Sequence, residues 1–202
     1  MKNLRHLFSL LLLAVFAVGY GQIANSAHDF SGTIWSDGNI CVACHTPHHG
    51  DLTVPEAPLW NHEVTTATYQ LYSGSTMDAT PGQPDGESKL CLSCHDGTVA
   101  LDSYGGATGS TMMTGDGLLG TDLRNDHPIS FTYDDALATA DGSLYEPSTA
   151  TSGLGATIDA DLLFSGKLQC ASCHDVHNEG NKGKLLRISN AGSALCLTCH
   201  NK

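Results

Sequence analysis

All eight cysteines fall into four units of the form Cys-x-x-Cys-His: Cys41/Cys44/His45, Cys91/Cys94/His95, Cys170/Cys173/His174 and Cys196/Cys199/His200. Two thiols two residues apart can reach the two vinyl groups on one edge of a porphyrin. The histidine that follows then lies under the iron as its proximal ligand. Zinc can use paired Cys-x-x-Cys units, but it does not require a histidine after every second cysteine. A disulfide framework is the usual reading of an even cysteine count in an exported chain. It explains neither the spacing nor the histidines. The pattern implies four covalently bound haem c groups, one per motif.

Each iron has a second axial position. The histidines outside the motifs and beyond the N-terminal stretch are His28, His48, His49, His62, His127 and His177. Six for four positions is a generous supply for a chain of this size. Methionine would raise the potential if it ligated, but Met77, Met112 and Met113 sit in Gly/Ser/Thr-rich sequence. His48 and His177 each lie three residues beyond a motif histidine. Three helical residues rise only ~4.5 Å, so neither can reach the far face of the haem its own motif holds. If they ligate, they ligate a different haem, and two haems are then close.

Those elements recur as two doublets. CVACHTPH is followed by KLCLSCHDG, and CASCHDVH by ALCLTCHNK. Upstream of the doublets stand His28-Asp29-Phe30-Ser31 and Asp126-His127-Pro128-Ile129-Ser130-Phe131. The repeat selects His28, His48, His127 and His177 as distal ligands. His62, in APLWNHE, has no counterpart and stands in reserve, as a ligand or as a hydrogen-bonding neighbour of a haem edge. His49 reads as a surface neighbour of His48. The expected organisation is 22–101 for the first two haems, 102–160 for a connecting wrap carrying His127 inward, and 161–202 for the last two. The wrap is rich in Gly, Ser, Thr and Asp and has no sustained helical or strand period. The fold class expected is mostly irregular coil with short helices around a stack of four haems, and little β structure. Trp35, Trp60, Phe131 and Leu162 to Phe164 are the candidates for apolar packing against the porphyrins.

Residues 1–21 form a separate unit. Lys2 and Arg5 precede a run from Leu7 to Val18 that is apolar except for Ser9. That run is too short to span a bilayer and suits a signal peptide, with cleavage expected after Gly21 and conceivable up to Ser26. The formal net charge of the whole chain is −12, and removing Lys2 and Arg5 makes it more negative. Such a protein is repelled by nucleic acid and by anionic lipid. Of the few cations left, Arg124 reads equally as a haem-propionate partner or as a solvated loop residue.

The HDFSG start, CVACHTPH, APLWNH, KLCLSCHDGTVAL, NDHPISF, CASCHDVHN and LLRISNAGSALCLTCHNK together resemble the doubled-Cys-x-x-Cys-His multihaem cytochromes. More narrowly, they resemble the four-haem outer-surface cytochromes of the OmcE type. The resemblance implies two histidine ligands on every haem and a continuous stack of alternating parallel and T-shaped neighbours. It further implies, for some members, extracellular filaments in which a histidine from one subunit completes a haem in the next. His28, on the N-terminal arm, is the natural candidate for that exchange.

The leading expectation is therefore an exported tetrahaem electron-transfer protein that is not an enzyme. It would be extracellular, at the cell surface or periplasmic, and without a transmembrane anchor. Its partners would be other redox proteins, extracellular acceptors or further copies of itself. A discrete periplasmic shuttle is the alternative. A multihaem reductase would need one iron with an open axial site and nearby acid–base groups.

Overall fold

The computed structural model describes residues 22–202. Residues 1–21, where a signal peptide is expected, lie outside the described residues. Regular structure is sparse among those described: five short helices, four two-residue strands and several single 3₁₀ turns. The helices are α1 (Gly86–His95), α2 (Asp135–Asp141), α3 (Ile158–Leu162), α4 (Cys170–Cys173) and α5 (Ala194–Cys199). Strand β1 (Gln70–Leu71) pairs in parallel with β2 (Asp122–Leu123), and β3 (Phe131–Thr132) pairs antiparallel with β4 (Lys167–Leu168). The expectation of mostly coil, short helices and little sheet agrees with this architecture.

Three of the helices carry Cys-x-x-Cys-His motifs. The second motif ends α1, the third forms α4 and the fourth ends α5. The first motif makes a single turn without a helix, closed by His45 N–H donating to the Cys41 carbonyl at 2.8 Å. Pro47 follows two residues later and cannot continue a helical ladder.

The wrap is more structured than its composition suggests. Residues 129–168 enclose a core of Phe131, Tyr133, Ala138, Ile158, Leu162 and Leu168, with Cys199 packed against it. Its two helices are specified locally. Asp134 caps α2 by accepting from Leu137 N–H at 2.8 Å, and Gly142 ends it at φ +68°. Thr157 caps α3 by accepting from Ala160 N–H. These caps satisfy orphan N–H groups and stop short helices cleanly. Of the expected packing residues, Trp60, Phe131 and Leu162 are buried, whereas Trp35, Leu163 and Phe164 are half-buried.

A polar network fastens α1 to α4. The Ser88 hydroxyl and the Ser130 hydroxyl both donate to the Gln169 side-chain oxygen, and Cys170 N–H donates to Ser88. Gln169 Nε2 donates to Asp85, which also pairs with Lys167. Ser88, Ser130 and Gln169 are buried and fully partnered, which makes such a network specific in geometry. The helices that carry the second and third motifs consequently pack together, which brings Cys91 close to Cys170. The second and third motifs, from different doublets, are neighbours.

Candidate haem sites

The turns that close the first and third motifs share one backbone design. In the first, Thr46 N–H donates to Leu59 O at 3.0 Å and Asn61 N–H to Cys44 O at 2.9 Å. In the third, Asp175 N–H donates to Leu185 O at 2.7 Å and Arg187 N–H to Cys173 O at 2.9 Å. Leu59 and Leu185 both adopt a left-handed backbone, at φ 56° and 55°. Residues 58–62 and 184–188 are therefore structural counterparts, and the position matching His62 is Ile188. Gly50 belongs to the first of these loops. A Cβ there would meet Leu59 Cα at 2.5 Å, so only glycine lets the loop close.

These turns orient the motif histidines. The Nδ1 of His45 donates to Pro58 O at 2.9 Å, and that of His174 to Lys184 O at 3.0 Å. The second motif uses another loop, with His95 Nδ1 donating to Gly117 O at 2.7 Å, and His127, outside the motifs, is held likewise by its Nδ1 donating to Pro128 O at 2.9 Å. A carbonyl can only accept, so the proton sits on Nδ1 and leaves Nε2 with a lone pair. That is the tautomer and ring orientation a metal ligand requires.

Three pairs of histidines face one another. His45 and His177 have ring centroids 6.4 Å apart with 16° between planes. His28 and His95 are 6.0 Å apart at 46°, and His127 and His200 are 6.3 Å apart at 71°. Two imidazoles on opposite sides of one ion, with metal–nitrogen bonds of about 2 Å, have ring centres about 6 Å apart. All three pairs match that span. Burial first, and then the imidazoles of His95, His174 and His177, push the His28 pKa down to about 4. His28 is thus neutral at ordinary pH, as a ligand must be.

Buried donors without acceptors add a second sign of a missing acid-bearing group. Among the described residues two buried side-chain nitrogens have no partner, Trp60 Nε1 and Arg187 Nε. Both lie on the paired closing turns. Trp60 stands edge-on to His45 and packs against Cys44, beside a cleft of about 550 Å³ that His48, His49 and His62 also line. The cysteines fit attachment as well. None is in a disulfide. Burial raises the thiol pKa of Cys44 to about 11 and of Cys94 to about 12. The residues present therefore fit haem c at each motif.

Several sequence expectations are redirected. His62 is held between two backbone carbonyls and faces no motif histidine across a ligand's span. It is 3% exposed, and its two ring nitrogens lie 2.8 Å from Glu63 O and 3.0 Å from Ala100 O, so no lone pair points into open space. Its Nε2 is 3.5 Å from Cys94 Sγ, which places it at the edge of the second motif. His28 does not reach outward; it faces His95 of its own chain. His177 faces His45, in the other half. His48 and His49 are exposed, and no histidine faces His174 at a comparable distance among the described residues. Arg124 is exposed and engages Asp122 with Nε and Nη2 at 2.8 and 2.6 Å, so it is not poised for a propionate. Arg187, which sequence reasoning passed over inside LLRISN, is the half-buried arginine; only its place in the repeat could have marked it.

Paired thiols and oriented histidines fit a multihaem c-type cytochrome, a haem-binding protein of the electron-transfer type. Residues 164–202, the second doublet, match the family described as Doubled CXXCH motif. No curated protein matches the chain. Cytochromes of this type are typically exported, and no helix among the described residues is long and apolar enough to cross a membrane.

Proposed function

We propose that the protein is an exported electron conduit with four haems, three of them ligated by two histidines within the chain and the fourth completed by a second copy. The haem groups supply reversible one-electron chemistry at iron. The protein's residues attach, orient and tune them. Cys41/Cys44, Cys91/Cys94, Cys170/Cys173 and Cys196/Cys199 form the covalent links, and His45, His95, His174 and His200 are the proximal ligands. The observation that carries the reading is the three facing pairs, His45/His177, His95/His28 and His200/His127, at 6.0–6.4 Å. Two histidines on an iron close both axial positions, which suits conduction and bars substrates from the metal.

Among the described residues His174 has no partner of this kind, while His48 and His49 are exposed on the loop between the first motif and Trp60. By the internal repeat His48 corresponds to His177, so it is the expected donor to the His174 haem. Delivered to the next subunit, it would join copies head to tail, a heterologous contact that propagates as an open filament. The same loop exposes Leu52 and Leu59, at 96% and 51%, which suits a contact surface. Close approach between the second and third motifs, at Cys91 and Cys170, joins the two doublets into one path.

Electron cryo-microscopy of the protein taken from the cell exterior tests this directly. Filaments with His48 or His49 of one subunit on the His174 haem of the next are the expected result. Discrete particles containing four haems with two histidines each would leave a soluble shuttle. Discrete particles whose His174 haem is high-spin and binds carbon monoxide would favour a reductase, because that iron would then offer an open site.

A further inference from the structure

The turn behind the third motif carries a half-buried positive charge that forms no ion pair with a carboxylate among the described residues. Arg187 is held there at two points. Its backbone N–H donates to Cys173 O at 2.9 Å, and its Nη2 donates to the backbone oxygen of Asp161 at 2.9 Å. Its Nε is buried and has no acceptor. A guanidinium cannot give up its proton in a protein, and its planar fork is shaped for a carboxylate. Asp161, whose carboxyl pKa the Ser152 hydrogen bond lowers, is close enough for the Arg187 charge to help lower it further, but Asp161 and Arg187 form no ion pair. The Asp161 carboxylate is turned away, accepting from the Ser152 hydroxyl and from Ala156 N–H at 2.8 Å. The other cations in ion pairs, Arg124 and Lys167, have carboxylates of their own in Asp122 and Asp85.

The internal repeat supplies a control for this position. Asn61, the counterpart of Arg187, makes the same backbone bond to the preceding motif, to Cys44 O. Its neutral amide is satisfied by Val42 O at 2.7 Å. The backbone station therefore has no need of a charge. A cation with an unanswered N–H stands there only in the second half, directly behind the cysteines that hold a haem. Haem c brings its own pair of carboxylates, the propionates.

We propose that Arg187 clamps a propionate of a haem of the second doublet, on the Cys170–His174 or the Cys196–His200 motif, and so raises that haem's potential above what its ligands alone would set. The inference rests on the haem reading above. Arg187 is a positioning residue, acting on the iron through the propionate. Its charge favours the reduced, less positive iron and keeps the propionate ionised. In a chain this acidic, one half-buried cation beside a propionate makes one haem distinct from its neighbours.

The test compares wild type with Arg187→Gln and Arg187→Lys in the four-haem protein. Haem content comes from the pyridine haemochrome, so failure of the four-haem reading registers separately from failure of the clamp. Spectropotentiometric titration at several pH values then follows the individual midpoints. In Arg187→Gln one midpoint falls and becomes more pH-dependent, because the released propionate now takes up a proton on reduction. The other three stay in place, and Arg187→Lys lies between. Haem-methyl resonances assigned to each motif show which of the two haems moved. Four haems with unchanged midpoints and unchanged pH dependence overturn the clamp, as does an equal shift of all four. Should Arg187→Gln fail to load four haems, Arg187→Lys decides by the same readout: a displaced midpoint supports the clamp and an unmoved one overturns it.

Discussion

The turns after the first and third motifs have one backbone and two sets of side chains. Each receives the motif histidine's Nδ1–H on a carbonyl, and each passes through a left-handed leucine. Yet His177 folds back onto His45, while His48 faces outward. His62 and Asn61 are replaced by Ile188 and Arg187 in the second turn. A duplicated backbone thus keeps the orientation of the proximal ligand, which every haem needs. The side chains around it are free to diverge, and their divergence turns one outer histidine inward and leaves the other exposed.

The strongest way to break this comparison is to remove the outer histidines in turn. His177→Ala should convert one haem of the isolated chain to a high-spin, carbon-monoxide-binding form, visible in the electronic spectrum. The double change His48→Ala with His49→Ala should leave the isolated chain's spectrum unaltered and abolish filament growth. Equal spectral effects from the two variants would erase the asymmetry. His62→Ala should leave every spin state as it is in wild type, because both ring nitrogens of His62 face backbone carbonyls.

A structural difference sharpens the comparison next. Asp85 joins the halves through Lys167 and Gln169. Burial works to raise its pKa, but the bonds from Lys167 and Gln169 outweigh it and hold the carboxyl below its ordinary 3.8. The stability it adds is complete above 3.8 and is lost as the pH falls through the lower folded value. Asp85→Asn should cost about 1 kcal/mol at neutral pH, since the group is partly solvated and screened. The gap to wild type should close in acid, as followed by thermal unfolding.

Smaller still is a spectroscopic contrast within the native protein. The ring planes of His45 and His177 are nearly parallel, and those of His127 and His200 nearly perpendicular. Parallel imidazoles split the iron d orbitals that they overlap, whereas perpendicular ones leave them close in energy. Electron paramagnetic resonance of the oxidised protein should show a rhombic low-spin signal for the first pair. The second should give one with a markedly larger maximum g value. At the bottom of the scale, Arg124→Gln should move neither the midpoints nor the melting temperature, in contrast to Arg187, because its pair with Asp122 is exposed.

How far the site could be read in advance follows from the range of each interaction. The covalent motifs are written within five residues, and Cys170–His174 is as plain in the chain as in the fold. The repeat also singled out His28, His127 and His177, which stand opposite motif histidines. What it could not give was the partner of each. The His45/His177 contact spans most of the chain, and no periodicity encodes it. For the same reason His62 looked like a spare ligand, since only the fold brings Ala100 O to its Nε2. The wrap misled through its composition. Its core residues Tyr133, Ile158 and Leu162 are scattered among Gly, Ser and Thr, and they converge only when β3 meets β4.

The facing of His45 and His177 also has a consequence for how the protein is made. A chain emerging from its N-terminus presents the first motif early and residue 177 late. On the proposed ligation, a haem joined at Cys41 and Cys44 would wait for His177 until nearly the whole polypeptide had followed. A second haem, with His28 as its further ligand, would have both histidines at hand as soon as it was attached. Maturation would therefore run out of numerical order, and a chain truncated before the third motif would carry a reactive first haem beside a quiet second one.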